Sequence, residues 1–274
     1  MPELPEVEQV KVSLLPHIKG KTILKTEVRL PRMIHHPAVP DFIMGVAGRT
    51  ITDVRRRGKY LTLLLDDGRY ILAHLRMTGA LLVLPGDEPE PPYAKIRFFL
   101  SDGLDLWFTD IRTFGTVCLC GGNDLWKDRG YAGLGPEPLS PEFTEDYLKE
   151  KLKKSHQMVK CFLLDQHKIA GMGNIYADEA LAAAGIRPTR YTDKLTLQQI
   201  HALYEAVNRV IAQGLRHRGT TFRNYQDADG QMGNNKEFLQ VYGRKGLPCR
   251  KCGAELKQIK VGGRGSVYCP HCQK

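Results

Sequence analysis

Four cysteines near the C-terminus constrain the fold more than any other feature of the chain. They read Cys249-Arg250-Lys251-Cys252, then sixteen residues, then Cys269-Pro270-His271-Cys272. Two Cys-x2-Cys knuckles at this separation supply four thiolates for one tetrahedral ion and leave the intervening chain to form a β-hairpin, a zinc ribbon. The competing arrangement, two disulfides, requires an oxidising compartment. No signal-peptide pattern and no apolar run of membrane length is present, so a cytoplasmic location, one structural Zn2+ and no membrane partner are expected. His271 is surplus to a four-cysteine set. Cys118, Cys120 and Cys161 lie in apolar surroundings and read as small core residues.

Charge points to the partner. The formal net charge is +10, and residues 231–274 carry nine lysines and arginines against Glu237 and Glu255. A basic run is usually solvated surface. On a zinc ribbon it suggests a phosphate backbone instead.

Ahead of the ribbon the chain divides by periodicity. Residues 5–18 place Val7, Val10, Leu14, Leu15 and Ile18 at helical spacing, ended by Gly20. Alternating or β-branched runs follow at 22–30, 50–54, 60–65, 70–75, 80–84, 95–100, 104–110 and 116–120, with Asp67-Gly68 and Asp102-Gly103 as hairpin turns. This predicts an α+β protein whose N-terminal helix joins an antiparallel β-sandwich. The Pro-rich stretch 133–141 is the best boundary, and beyond it helices are expected at 145–154, 157–166, 174–184 and 197–216. The expected domains are thus 1–132, a linker at 133–145, a helical domain at 146–236 with a functional loop at 219–236, and the ribbon at 237–274.

Several constellations could carry chemistry. If the initiator Met is removed, Pro2 presents a secondary amine, and an α-amino group titrates at about 7.7–8.0, leaving free base near neutrality. Such an amine can attack carbonyl-level carbon and split one displacement into two steps, with Glu3 beside it to move protons. The same residues are also ordinary helix-start grammar, the simpler reading of this segment alone. Ala170-Gly171-Met172-Gly173-Asn174 precedes a helix. It could cradle a phosphate on exposed N–H groups or simply be a tight turn, and spacing does not separate the two. Arg55-Arg56-Arg57-Gly58-Lys59 fits a basic hairpin end. Met77, Arg112 and Phe114 sit at strand ends, where such side chains can wedge into a base stack; core packing is the plainer account of Met77 and Phe114, and a structural role that of His74.

Taken together these segments resemble the formamidopyrimidine-DNA glycosylase family of bacterial base-excision repair. The likeness spans essentially the whole chain and rests on residues 2–8 (Pro-Glu-Leu-Pro-Glu-Val-Glu), Arg57-Gly58-Lys59-Tyr60, Leu134-Gly135-Pro136-Glu137-Pro138-Leu139, Gly173-Asn174-Ile175-Tyr176 with Asp178-Glu179, and Val241-Tyr242-Gly243-Arg244. It implies a helix-two-turn-helix domain between the sandwich and the ribbon. It also implies a bifunctional glycosylase and abasic-site lyase that excises oxidised purines, 8-oxoguanine or formamidopyrimidine, from duplex DNA. The damaged nucleotide would be rotated out of the stack.

By the same likeness Pro2 attacks C1′ and forms a Schiff base, Glu3 is general acid/base, Lys59 contacts phosphate and assists β-elimination, and Arg264 supports δ-elimination. Met77, Arg112 and Phe114 match a void-filling trio, with Arg112 facing the orphaned cytosine. His74, Arg76, Lys160, Asn174, Tyr176 and Tyr242 would contact DNA, and Thr220, Thr221, Arg223 and Tyr225 belong to the loop that closes over the flipped base. The zinc on Cys249, Cys252, Cys269 and Cys272 is architectural. A monomer associated with the nucleoid through DNA is expected. Leu4 separates the chain from the endonuclease VIII branch, which prefers oxidised pyrimidines and typically carries Gly there. Tyr93 and Ser155 stand where some members carry His and Lys. A non-enzymatic zinc-ribbon DNA binder explains charge, cysteines and wedges but gives no reason for Pro2-Glu3.

Overall fold

The computed structural model describes residues 1–121, 129–222 and 225–274. They form two compact units, one of Met1–Ala132 with His217–Asn234, the other of Gly133–Arg216 with Asn235–Lys274.

The first unit begins with helix α1 (Leu4–Ile18), which has Pro5 in its first turn and Glu6 accepting a hydrogen bond from the Glu3 N–H at 2.8 Å. Its Val7, Val10, Leu14 and Ile18 stripe is wholly buried, as helical spacing predicts. The strands are β1 (Ile23–Val28), β2 (Ile34–His36), β3 (Ile51–Arg57), β4 (Tyr60–Leu65), β5 (Arg69–His74), β6 (Gly79–Pro85), β7 (Ala94–Leu100), β8 (Leu104–Asp110) and β9 (Thr116–Gly121). They make two sheets, β1-β7-β8-β6 and β2-β9-β5-β4-β3. All pairings are antiparallel except β2 with β9. β7 alternates buried and half-buried along its length, the period-2 signature of a strand with one covered face. One apolar core joins α1 to both sheets through Ile96, Phe98, Leu106 and Phe108 on one side and Leu61, Leu63, Ile71 and Val117 on the other.

Some elements of this unit were not expected from the sequence. Helix α2 (Val39–Val46) and the three-residue β2 carry no periodic signal, because Pro37 and Pro40 read as loop and three residues cannot show alternation. Pro40 is compatible with a helix here because it lies in the first turn. The unit closes with the short α3 (Arg129–Ala132).

In the second unit, α4 (Glu145–Lys153) is capped by Thr144 Oγ1, which accepts from the Tyr147 N–H. Helix α5 (Val159–Leu164) is shorter than the expected 157–166: Met158 pairs with Tyr191 as a β-bridge, and the Gln166 side chain donates to the Leu164 and Met172 carbonyls. Helix α6 (Asn174–Ala184) ends at Gly185 in the left-handed region, φ +70°, and packs against α7 (Leu197–Arg216). A Cβ on Gly214 of α7 would fall 2.4 Å from the Tyr176 hydroxyl, so the glycine permits the close approach. The unit ends in the hairpin β10 (Lys257–Val261) and β11 (Arg264–Tyr268), antiparallel as the ribbon reading predicts.

Sequence order groups the segment 217–234 with the helical domain, but it packs in the first unit. Glu6 Oε1 accepts from the Thr220 N–H at 2.7 Å, Ser13 Oγ from the Ala228 N–H at 3.0 Å, and the Val83 N–H donates to the Ala228 carbonyl. No helix among the described residues is long and apolar enough to cross a membrane.

Candidate active site and nucleic-acid contacts

Pro2 and Glu3 lead directly into α1, and both are buried, Glu3 at 2 % exposure. Glu6, one turn on, ties this terminus to the loop: it accepts from Glu3 N and Thr220 N through different carboxylate oxygens, while the Tyr225 hydroxyl donates to its carbonyl. Gly219 is required here. It sits at φ +80°, and a Cβ would come within 2.8 Å of the Glu6 side chain. Burial, with the nearby Glu6 and Asp227 charges, pushes the Tyr225 hydroxyl well above the usual tyrosine range. Asp227, 1 % exposed, gathers the loop base by accepting from Gln9, Arg218 and the N–H groups of Asp229 and Gln231. Thr220 is buried, Thr221 half-buried with its hydroxyl donating to the Tyr225 carbonyl, and Arg223 lies outside the described residues.

Lys59 follows the β3–β4 turn, where Gly58 has φ +57°. That hairpin end is fastened to α1 because Arg56 donates to Glu8 at 2.6 Å and to the Gly58 carbonyl at 3.1 Å. Burial raises the Glu8 pKa, but Lys11 and Arg56 outweigh it and hold the carboxyl below its usual range. Lys59 is itself 5 % exposed, and its charge reaches His74 on β5. His74 Nδ1 accepts from the Arg76 N–H at 2.9 Å, so in this arrangement Nε2 bears the proton. Desolvation, then Arg76 and Lys59, lower its pKa to about 3, and the ring is neutral near pH 7.

The trio forms a cluster. Met77 is 41 % exposed and Phe114 52 %, and the Arg112 guanidinium lies 4.9 Å from the Phe114 ring centre while donating to Met77 Sδ. The core-packing account of Met77 and Phe114 therefore fails: both stand in solvent. Their loops are built tightly, with Arg76 at φ +53° and Thr113 at φ +57°.

In the second unit the Gly-rich turn is bonded internally, Gly171 N–H donating to Gln166 Oε1. Asn174 Nδ2 donates to the Gly265 carbonyl at 3.1 Å, next to Arg264. Lys160 and Tyr176, expected among the DNA contacts, are instead buried at 0 % and 1 % exposure. Lys160 Nζ contacts Asp178 at 2.7 Å, the Gly265 carbonyl at 3.0 Å and Ser266 Oγ at 2.7 Å. Asp178 in turn accepts from the Ser266 hydroxyl and the Val267 N–H. Lys160 thus bonds to the strand that carries Arg264. Glu179 accepts from three successive N–H groups, Gln240, Val241 and Tyr242, at 2.8–2.9 Å. Burial raises its pKa against the pull of those donors.

Arg264 opens β11, exposed, after Gly262 and Gly263, both at positive φ. Outside the hairpin the four cysteine sulfurs all lie within 4.8 Å of one another, with Cys252–Cys269 at 3.5 Å and Cys249–Cys272 at 4.0 Å. A zinc ion with four sulfurs at about 2.3 Å sets sulfur–sulfur distances of about 3.8 Å. The residues fit one structural Zn2+.

A family model described as the formamidopyrimidine-DNA glycosylase N-terminal domain matches residues 1–117, one for its H2TH domain matches 134–226, and one for a zinc finger found in FPG and IleRS matches 246–274. The chain is 46 % identical over 274 residues to the formamidopyrimidine-DNA glycosylase of Pelotomaculum thermopropionicum, covering all of this chain and 99 % of that protein. The chain belongs to the formamidopyrimidine-DNA glycosylase family. Within it, the Carboxydothermus hydrogenoformans enzyme is 44 % identical over the full length of both chains. Among solved structures, a point mutant of the Lactococcus lactis FPG bound to Fapy-dG-containing DNA superposes with a TM-score of 0.94 at 36 % identity, covering both chains completely. The Lactococcus lactis Fpg complex with abasic-site DNA gives 0.93 at 36 %, over 99 % of each.

As a member of this family the protein is a DNA-repair glycosylase acting on damaged DNA, and its four cysteines hold a structural zinc. The sequence reading quoted Glu6 and Asp178-Glu179 within family motifs but gave these carboxylates no role. Glu3-x-x-Glu6 has capping-box spacing and could have flagged Glu6. Nothing local reports what Asp178 holds, because its partners Ser266 and Val267 are distant in sequence.

Proposed function

We propose that the protein is a bifunctional glycosylase and abasic-site lyase that removes oxidised purines, 8-oxoguanine and formamidopyrimidine, from duplex DNA. With Met1 removed, the Pro2 nitrogen attacks C1′ of the extruded nucleotide as the bond to the base breaks. Glu3 supplies the proton that opens the sugar, and the result is an iminium at C1′. Loss of a proton from C2′ then expels the 3′ phosphate, with Lys59 against the backbone, and Arg264 assists departure of the 5′ phosphate. His74, a neutral Nε2–H donor, joins Arg76, Asn174 and Tyr242 in holding the backbone. Thr220, Thr221, Arg223 and Tyr225 cover the flipped base. The enzyme works as a monomer in the bacterial cytoplasm, on the nucleoid.

The observation that carries this reading is the exposed cluster of Met77, Arg112 and Phe114. Two large apolar side chains held in solvent beside a guanidinium suit the hole left by an extruded nucleotide and the partner base stranded opposite. Preference for purines is supported by the Lactococcus lactis complexes with Fapy-dG DNA. An oxidised-pyrimidine substrate is the second reading, because the wild-type Lactococcus lactis protein has also been solved with such DNA.

Borohydride trapping on a duplex with one 8-oxoguanine opposite cytosine, with peptide mapping of the adduct, tests the mechanism. A cross-link at Pro2, lost in Pro2→Gly while duplex binding persists, is expected. Unchanged trapping in Pro2→Gly would overturn the assignment of the nucleophile. Faster excision from a thymine-glycol duplex would overturn the purine preference.

A further inference from the structure

We infer that Asp110 is a positioning residue that presets the void-filling cluster before DNA arrives, an inference that rests on the proposed role of Met77, Arg112 and Phe114. Asp110 ends β8 at 1 % exposure, and no cation among the described residues pairs with its carboxylate. Its two oxygens serve both wedge loops instead. Oδ1 accepts from the Thr78 hydroxyl at 2.5 Å, in the β5–β6 turn that carries Met77, and from the Arg112 N–H at 3.1 Å. Oδ2 accepts from the Gly115 N–H at 2.7 Å, beyond Phe114. Thr78 Oγ1 closes the circuit by accepting from the same Arg112 N–H at 2.9 Å. One buried carboxylate thus fixes the chain on either side of Arg112-Thr113-Phe114 and ties it to the residue after Met77.

Two strained positions make this brace necessary. Arg76 and Thr113 hold left-handed backbone without being glycine, a conformation that persists only where surrounding contacts impose it. Gly115 leaves no room for adjustment, since a Cβ there would lie 2.7 Å from the Phe108 ring. An amide cannot replace the carboxylate. All three partners donate, and an asparagine turns an N–H2 group toward one of them. The brace shapes groups that touch DNA and touches no reacting atom itself.

The test uses the full-length, zinc-loaded protein under single-turnover conditions on two substrates. One is a duplex with 8-oxoguanine opposite cytosine, and the other a single strand with a preformed abasic site. A single strand has no partner base and therefore no void to fill. For Asp110→Asn the ratio of duplex rate to single-strand rate is expected to fall about tenfold, and for Thr78→Val about threefold. In a Met77→Ala/Phe114→Ala background, adding Asp110→Asn is expected to change the ratio less than about twofold. An unchanged ratio, equal loss on both substrates, or full additivity in that background would overturn the inference. If Asp110→Asn fails to fold, Thr78→Val decides alone, and an unchanged ratio in it overturns the inference. An unaltered protein inactive on both substrates would overturn the proposed function and this inference with it, a result distinguishable from failure of Asp110 alone.

Discussion

In the first unit, α1 and two sheets bury a continuous apolar core, and Pro2, Lys59, Met77 and Phe114 all lie within two residues of a helix or strand that helps build it. In the second, Arg264 stands on a hairpin of two five-residue strands whose apolar support is small: Ala182, Val241, Leu256, Val267 and two of the zinc cysteines. A module of this size cannot bury enough surface to hold itself, so metal and buried polar contacts replace the core. The two units therefore differ in what holds their site residues. The first relies on apolar packing with carboxylates such as Glu6 refining the loops. The second relies on four thiolates and the Lys160–Asp178 pair.

Removing the metal should separate the two most sharply. In Cys269→Ser, or after chelation, we expect near-complete loss of zinc and hydrogen exchange at 246–274 close to that of unstructured chain. Strands β4, β5 and β9 should keep their protection, because structural zinc contributes on the order of 10 kcal/mol to the folding of its own module. DNA affinity should drop by about tenfold or more, since the phosphate contacts proposed for the ribbon would be lost. Retained protection of β10 and β11 in verified metal-free protein would break the contrast.

The ion pair comes next in size. Asp178→Asn removes the carboxylate that the buried Lys160 ammonium contacts at 2.7 Å, which should cost about 3 kcal/mol in urea unfolding. Adding Lys160→Met removes the buried charge while the asparagine carbonyl still accepts from the Val267 N–H. The double variant should therefore be more stable than Asp178→Asn alone. If it is less stable, the pair contributes through more than mutual neutralisation.

The contrast also explains what the sequence could and could not reveal. Helix α1, β7 and α7 were legible because their burial follows a local period, and the zinc cluster because cysteine spacing encodes its geometry directly. Helix α2 and β2 were not, since prolines and shortness erase the period. The wedge role proposed for Met77, Arg112 and Phe114 came from the family resemblance, because position at strand ends read more plainly as core packing for Met77 and Phe114, whose exposure no local pattern reports. Lys160 was legible as a cation, but its burial was not. Its partner Asp178 and the contacts Glu6–Thr220 and Asp178–Ser266 join residues far apart in the chain, and no spacing rule reports such pairs. The carboxylates were thus visible within motifs, but the contacts they make were not.

The smallest effect concerns pH and belongs to the first unit. His74 has its folded pKa lowered to about 3, by burial first and then by Arg76 and Lys59. A group whose folded pKa is depressed contributes stability that is full above its unfolded value of about 6.5 and declines as pH falls toward about 3. A single such histidine should lower stability by about 1.4 kcal/mol at about pH 5.5 relative to about pH 7.5. Protonation also puts a hydrogen on Nδ1, where the Arg76 N–H now donates, and so loosens the strained turn before Met77. Asp178 and Glu179, both raised by burial, act in the opposite direction and would mask the effect in the unaltered protein. The difference between that protein and His74→Gln cancels them. Urea unfolding of both across that interval should therefore show a gap that shifts by about 1.4 kcal/mol, in favour of His74→Gln at the acid end. Parallel curves would mean that the ring can be protonated in place, and that the β5–β6 turn accommodates a charge the packing around it argues against.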